Sequence, residues 1–284
     1  TLPGYANDAV PTLLGITVGG APVDPSLYIT NYAGGVFTIF FDPTFAFSLP
    51  VGSELVIRYV ATVDADVGAG LDLTNTAQVM WSSLPGATPG DRNYGPIADD
   101  TTLHTVLPDI VKTVTPITAS IGSLITYTIH VPEVPITATL YNAVVTDALA
   151  PWLAITAVDA PSNSGQIVQW TSPAALTITY ASIPVGEQRT ITVTAVVIGI
   201  MSAPVAGDVI TNVVTLEHDT GITTSEAVTV TVTEPLVTLV KGVEIPHDPL
   251  GAGDLVTYTI ALSNTGDWPA YDLVITDSLP LGLA

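Results

Sequence analysis

Lysine occurs twice in this chain, as Lys112 and Lys241, each time at the same place in a repeated phrase. The first copy reads Asp109-Ile110-Val111-Lys112-Thr113-Val114 and the second Thr238-Leu239-Val240-Lys241-Gly242-Val243. Each is followed at a near-constant distance by an aspartate in a second repeated phrase: Asp147 in V-V-T-D-A-L and Asp277 in V-I-T-D-S-L-P. An asparagine recurs in a third phrase, Asn75 in T-N-T-A and Asn212 in T-N-V-V. Lysine, aspartate and asparagine held together out of water can join covalently. A lysine kept neutral by burial attacks the asparagine side-chain carbon, a carboxyl kept protonated by the same apolar site shuttles protons, and ammonia leaves. The product is an intramolecular Lys–Asn isopeptide bond, made once and without turnover, so no site of catalytic turnover is expected.

The segments that carry these residues have a period of two, the mark of a strand with one face buried. Lys241 shares a face with Leu239 and Val243, and Asp277 with Leu273, Ile275 and Leu279. Asn75 lines up with Leu71, Leu73, Ala77 and Val79, and Asn212 with Ile210, Val214 and Leu216. Lys112 goes with Ile110 and Val114, and Asp147 with Val145 and Leu149. All are expected on core-facing positions. A lone buried charge costs several kcal/mol or loses its charge. The three types are tolerable there only by satisfying one another, as a hydrogen-bonded polar cluster or as the covalent cross-link.

The repeat also sets the domain organisation. Residues 109–151 match 239–283, while 51–79 (V-G-S-E-L-V-I-R-Y, then L-D-L-T-N-T-A) match 185–216 (V-G-E-Q-R-T-I-T-V, then D-V-I-T-N-V-V). Thr1-Leu2-Pro3-Gly4 resembles Ser278-Leu279-Pro280-Leu281-Gly282, so the chain is expected to start within a unit, as an excerpt of a longer array or a processed product. The expected parts are the C-terminal portion of a sandwich domain (1–107), a complete sandwich (108–234) and the N-terminal portion of a further one (235–284). Only the middle part holds the full trio, Lys112, Asp147 and Asn212. Lys241 with Asp277, and Asn75, are its equivalents in the incomplete parts. Short β-branched runs, with turns about every ten residues marked by 23 glycines and 23 prolines, are sandwich spacing. The expected fold is all-β: tandem immunoglobulin-like Greek-key sandwiches. Proline-marked junctions near Pro108 and Pro235 predict modest flexibility and an elongated array. Residues 82–101 read as a polar Pro/Gly-rich loop inserted in the first part.

Five basic residues against 26 acidic ones, a net charge of −21, exclude a basic nucleic-acid surface. The chain has no cysteine, so neither disulfides nor thiolate metal sites are available. The uncharged run 190–207 is interrupted by Gly199, Pro204 and Gly207 and reads as strand and turn, not as a membrane span. No cofactor motif is present. Asp64, Asp66 and Asp72 surround two glycines in D-A-D-V-G-A-G-L-D, an oxygen-rich stretch that could take calcium, but without the spacing of an EF-hand loop. A solvated acidic turn is the plainer reading. His104, His130, His218 and His247 are scattered and read as surface or rim residues. Trp81, Trp152, Trp170 and Trp268 read as packing residues.

Taken together, VKTV and VKGV, the strand phrase G-[SD]-L-[IV]-T-Y-T-I, the two aspartate phrases and the two asparagine phrases resemble the isopeptide-forming fimbrial domains of bacterial surface proteins. They also resemble the related repeat called the domain of unknown function eleven, and the resemblance runs over essentially the whole chain. It implies sandwich modules on extracellular or cell-surface proteins, pilin subunits or adhesins, often in tandem. By position it makes Lys112 the nucleophile, Asp147 the proton shuttle and Asn212 the acceptor. The expectation is a structural subunit of a filament, stalk or surface layer that self-associates into a homopolymer, with strand complementation between subunits. The alternative is an adhesin that offers inter-strand loops to a glycan or protein.

Overall fold

The computed structural model describes residues 9–41, 44, 47–86, 88–160, 166–199 and 204–283. The phrase at Thr1-Leu2-Pro3-Gly4 lies outside them, as does 200–203 within the uncharged run. The chain forms two compact units. The first takes in the chain to Pro108 with Ile136–Tyr141 and Pro184–Gly186, and the second Asp109–Pro135, Asn142–Ile183 and Glu187–Ala284. The expected all-β class holds: among the described residues there are strands, one short 3-10 turn at Pro25–Leu27 and no α-helix. Among the described residues no helix is long and apolar enough to cross a membrane.

In the first unit the strands are β1 (Thr12–Val18), β2 (Ala21–Pro22), β3 (Tyr28–Ala33), β4 (Val36–Phe41), β5 (Leu55–Val60), β6 (Asp72–Ser82) and β7 (Asn93–His104). They form a sheet of order β2-β1-β5 and the hairpins β3-β4 and β6-β7. A small core gathers Val67, Ala69, Ile136 and Ala138, flanked by Leu71 and Leu73. Half of the segment expected as an inserted loop at 82–101 is strand. The β6-β7 ladder runs out to Ser82 and Asn93, and the rings of Trp81 and Tyr94 stack across it at 5.7 Å. The polar turn closes because Asp91 accepts hydrogen bonds from the Leu84 amide and the Ser83 hydroxyl, substituting for missing ladder bonds.

The second unit continues with β8 (Val111–Thr115), β9 (Thr118–Ala119), β10 (Leu124–Val131), β11 (Leu140–Ala148), β12 (Leu153–Asp159), β13 (Ile167–Ser172), β14 (Ala175–Ile183), β15 (Arg189–Val197), β16 (Val209–Asn212), β17 (Val214–His218), β18 (Gly221–Thr224) and β19 (Val228–Val232). One sheet has the order β12-β15-β10-β8. The other is built from β13-β14-β11-β17-β18 and β16-β19-β9. Strands β16 and β17 are one run broken only at Val213, and the Ser225 hydroxyl bridges the break by accepting from the Val214 amide at 3.1 Å. The alternation foreseen from the sequence is realised. Ile125, Tyr127, Ile129 and Val131 of β10 and Ile191, Val193, Ala195 and Val197 of β15 are buried. From the other sheet they meet Val145, Leu176, Ile178, Tyr180, Val214 and Leu216, also buried. Burying this many β-branched and aromatic side chains, each contributing about 1.5–3 kcal/mol, holds the sandwich together without disulfides.

Beyond it, β20 (Val237–Glu244) and β21 (Thr257–Asn264) form a two-stranded antiparallel sheet. The link between β19 and β20 is stapled to the turn after β21. The Asn264 side chain accepts from the Leu236 and Gly266 amides and donates to the Trp268 carbonyl. The Thr265 and Asp267 amides donate to the Leu236 and Glu234 carbonyls.

The first unit repeats the latter half of the sandwich. Strand β5 pairs with β1 as β15 pairs with β12, and β6 pairs with β7 as β16 pairs with β19. Strands β20 and β21 repeat the β8-β10 pair.

Candidate functional site

The middle sandwich brings Lys112 and Asp147 together. Lys112 lies on β8 opposite Ile129, and Asp147 on β11 opposite Val214. The two strands belong to different sheets, so the pair spans the core. The Lys112 Nζ donates to Asp147 Oδ2 at 2.5 Å, and neither side chain has any solvent exposure. Asn212, two residues before Val214 on the same strand run, shares its face and is 3 % exposed. Diagonal neighbours on adjacent strands sit within reach of one another, at about 7–8 Å or somewhat less between Cβ atoms. Asp147 and Asn212 therefore sit side by side on one sheet, facing a lysine supplied by the other.

Burial pushes the Lys112 ammonium below its ordinary pKa, and the Asp147 charge and hydrogen bond oppose that shift. Several polar atoms here are buried without a hydrogen-bond partner: Asp147 Oδ1, both amide atoms of Asn212 and the Tyr127 hydroxyl. Each such atom costs about 1–3 kcal/mol, and clusters of them mark sites kept for a purpose other than packing.

Tyr127, unremarked in the sequence as a site residue, forms one wall. It sits on β10 opposite Val114, diagonal to Lys112, and its ring centroid is 4.2 Å from the Lys112 Nζ. Its hydroxyl lies close enough to Asn212 for the carboxamide to affect its acidity, although the two form no well-aligned hydrogen bond. Burial, then the Asp147 charge, push the hydroxyl far above its ordinary pKa. The signal in the sequence was the recurrence of tyrosine at Tyr127 and Tyr258 in the same strand phrase.

The equivalents in the other parts are arranged alike but open. Lys241 Nζ is 2.6 Å from Asp277 Oδ1 and 4.5 Å from the Tyr258 ring centroid, with the lysine and aspartate side chains 38 % and 30 % exposed. The expected core-facing neighbours Leu239, Val243, Leu273, Ile275 and Leu279 are all exposed. Asn75 is exposed too, its amide donating to the Tyr59 hydroxyl at 2.9 Å, and Val79 on its face is exposed. Lys241 and Asn75 lie on strands as expected, but the segment that carries Asp277 is not strand, and the burial expected of these faces is absent. In the middle sandwich a second sheet covers the corresponding face, and among the described residues nothing covers these.

Of the acidic stretch, Asp72 bonds His104 at 2.7 Å, whereas Asp64 and Asp66 contribute backbone carbonyls to a turn and to Tyr141. Among the described residues no three His, Cys, Asp or Glu side chains are grouped as metal ligands. His218 corrects the expectation of surface histidines. It is buried at the end of the face carrying Asn212, Val214 and Leu216, and burial lowers its pKa against the charge of Asp219.

No protein-family model matches the chain, and no curated protein does. Solved structures similar to it are adhesin and pilin domains. The N-terminal domain of a Streptococcus gordonii adhesin is 16 % identical, with a TM-score of 0.40 over 48 % of this chain and 36 % of that one. The chain thus spans little more than a third of that domain. The major pilin subunit of Bacillus cereus is 15 % identical, with a TM-score of 0.37 over 58 % and 57 %. The C-terminal domain of a Streptococcus pyogenes antigen I/II-family protein is 12 % identical, with a TM-score of 0.40 over 78 % and 79 %.

Proposed function

We propose that this is a structural protein of the extracellular surface, not an enzyme, whose complete sandwich is locked by a self-formed isopeptide bond between Lys112 and Asn212. The observation that carries the reading is the fully buried Lys112–Asp147 pair beside an asparagine whose amide atoms have no partner. In the dry site the proton of the pair moves to Asp147, leaving a neutral amine and a protonated carboxyl. The Lys112 Nζ adds to Asn212 Cγ, making a C–N bond. Asp147 gives its proton to the departing Nδ2 and, as a carboxylate again, takes the excess proton of the newly bonded Lys112 nitrogen. The Cγ–Nδ2 bond breaks and ammonia leaves. The bond joins the first strand of the sandwich to a late one, so tension along the chain cannot peel the sheets apart.

Intact-mass spectrometry tests this. The chain should weigh about 17 Da less than its sequence mass, the ammonia lost on amidation, and Lys112→Ala and Asn212→Ala should remove that deficit. Unchanged mass in the wild type overturns the cross-link.

The same reading extends to assembly. Among the described residues nothing covers the Lys241–Asp277 face or the Asn75 face, and each exposes apolar side chains. A second copy of the chain would supply what each lacks, by strand complementation into a filament. Light scattering at rising concentration should show assembly, and a denaturing gel should show a ladder wherever Lys241 bonds Asn75 of another copy. A concentration-independent monomer sinks this part. The stacked, exposed Trp81 and Tyr94 on the β6-β7 hairpin favour the adhesin reading as a second role. A glycan-array signal abolished by Trp81→Ala would support it.

A further inference from the structure

We propose that Tyr127 activates the electrophile of the cross-link, its hydroxyl donating to the Asn212 carboxamide oxygen while its ring holds Lys112 over the site. The inference rests on the Lys112–Asn212 bond proposed above and assigns a fourth participant to it.

Tyr127 stands beside both reacting groups. Its ring centroid lies 4.2 Å from the nucleophilic nitrogen, and the carboxamide that nitrogen must attack is near enough to act on its hydroxyl. The tyrosine is fully buried, so its O–H faces no water, and both the hydroxyl and the two carboxamide atoms of Asn212 lack any other partner. A carboxamide can turn its oxygen or its nitrogen toward a neighbour, and with the oxygen turned it accepts from the hydroxyl. When the Lys112 nitrogen adds to Cγ, negative charge develops on Oδ1. A donor fixed in a dry site then stabilises the addition far more than it stabilises the starting amide. Burial raises the pKa of this hydroxyl, so the donor stays protonated well above the ordinary tyrosine range. A core phenylalanine would pack as well and donate nothing.

The arrangement recurs. Tyr258 stands under Lys241 at 4.5 Å, at the same register from its lysine: Lys241 pairs with Ile260 and Tyr258 with Val243, as Lys112 pairs with Ile129 and Tyr127 with Val114.

The test follows bond formation in the full chain by intact mass at intervals after cell-free synthesis. Tyr127→Phe, which keeps the ring, should slow the loss of ammonia by roughly 10²–10³, the usual effect of removing one oxyanion donor. In an Asn212→Ala background, where no bond forms, the same substitution should not lower the unfolding midpoint, since it only removes a buried hydroxyl without a partner, and this separates positioning from packing. Wild-type speed in Tyr127→Phe overturns the proposal and leaves the cross-link standing. No mass loss in the wild type removes the cross-link and this inference with it. If Tyr127→Phe fails to fold, 3-fluorotyrosine at 127 decides. It keeps the shape and makes the hydroxyl a stronger donor, so bond formation should quicken, and an unchanged rate overturns the proposal.

Discussion

Lys112 and Asp147 meet at 2.5 Å across the middle sandwich with both side chains wholly shielded from water, whereas their counterparts Lys241 and Asp277 make the same contact partly in solvent. Two copies of one pair thus stand in different dielectrics within a single chain.

The buried pair should be sensitive to the loss of one partner and tolerant of the loss of both. In an Asn212→Ala background, Lys112→Met leaves the Asp147 carboxyl alone in the core and is expected to cost about 3–5 kcal/mol in urea unfolding. Lys112→Met with Asp147→Leu should recover most of that. At the exposed pair, Lys241→Met should change stability by less than about 1 kcal/mol.

The pH dependence follows from the direction of the Lys112 shift. Burial lowers its folded pKa beneath the ordinary 10.5, the Asp147 interaction opposing. Between those two values the unfolded chain holds a proton that the fold does not. Stability of the Asn212→Ala variant should therefore rise with pH through that window, and fall as pH drops to the folded value. Bond formation in the wild type should quicken over the same range. The buried tyrosines act the other way. Burial, first among the causes, pushes Tyr180 up to about 12 from an ordinary value of 10.0. Its stabilising share is complete below pH 10 and is lost as pH rises toward 12. Ultraviolet titration of the folded chain should show Tyr127 and Tyr180 ionising above the ordinary tyrosine range.

Asn142 sits at φ 50°, and Asp272, its counterpart in the repeat, at φ 51°. This left-handed turn suits asparagine, aspartate or glycine. The Asn142 side chain also donates to Asp219 at 2.8 Å. Asn142→Ala should cost about 1–3 kcal/mol, from backbone strain and the lost bond together, and Asn142→Gly less. Thermal unfolding of the three chains checks the order.

Gly266 closes the turn over the link to β20. A Cβ there would fall in clashing range of the Leu236 nitrogen and the Glu234 oxygen, both backbone atoms. Gly266→Ala should open the link, so limited proteolysis near Pro235 should speed up several-fold while the unfolding midpoint of the middle sandwich stays put.

Much of this was legible in residue types. Alternation placed Lys112, Asp147 and Asn212 on inward faces because a strand turns every second side chain the same way. The same parity also held His218 in register with Asn212, Val214 and Leu216, so its burial was readable as well. Tyr127 looked like any core aromatic, since its role depends on a diagonal to a strand that pairs only in three dimensions. The β6-β7 hairpin hid behind its glycines and prolines because the ladder passes Gly95 and Pro96 at an irregularity between Val79 and Trp81, while Asp91 closes the turn beyond it. The exposure of Asn75 and Lys241 was not readable from their own strands, since burial is conferred by whatever lies opposite.

The Asn264 staple has a consequence for how load moves. A flexible tether stores little torsion, because each bond rotates freely. Here Asn264 braces its own turn through Gly266 and Trp268, and three hydrogen bonds tie residues 234–236 to that turn: the Leu236 amide to Asn264, and the Thr265 and Asp267 amides to the Leu236 and Glu234 carbonyls. Rotation about the link must break several of them together. A twist applied to β20 is therefore handed on to β19, and the link works as a shaft coupling and not as a swivel.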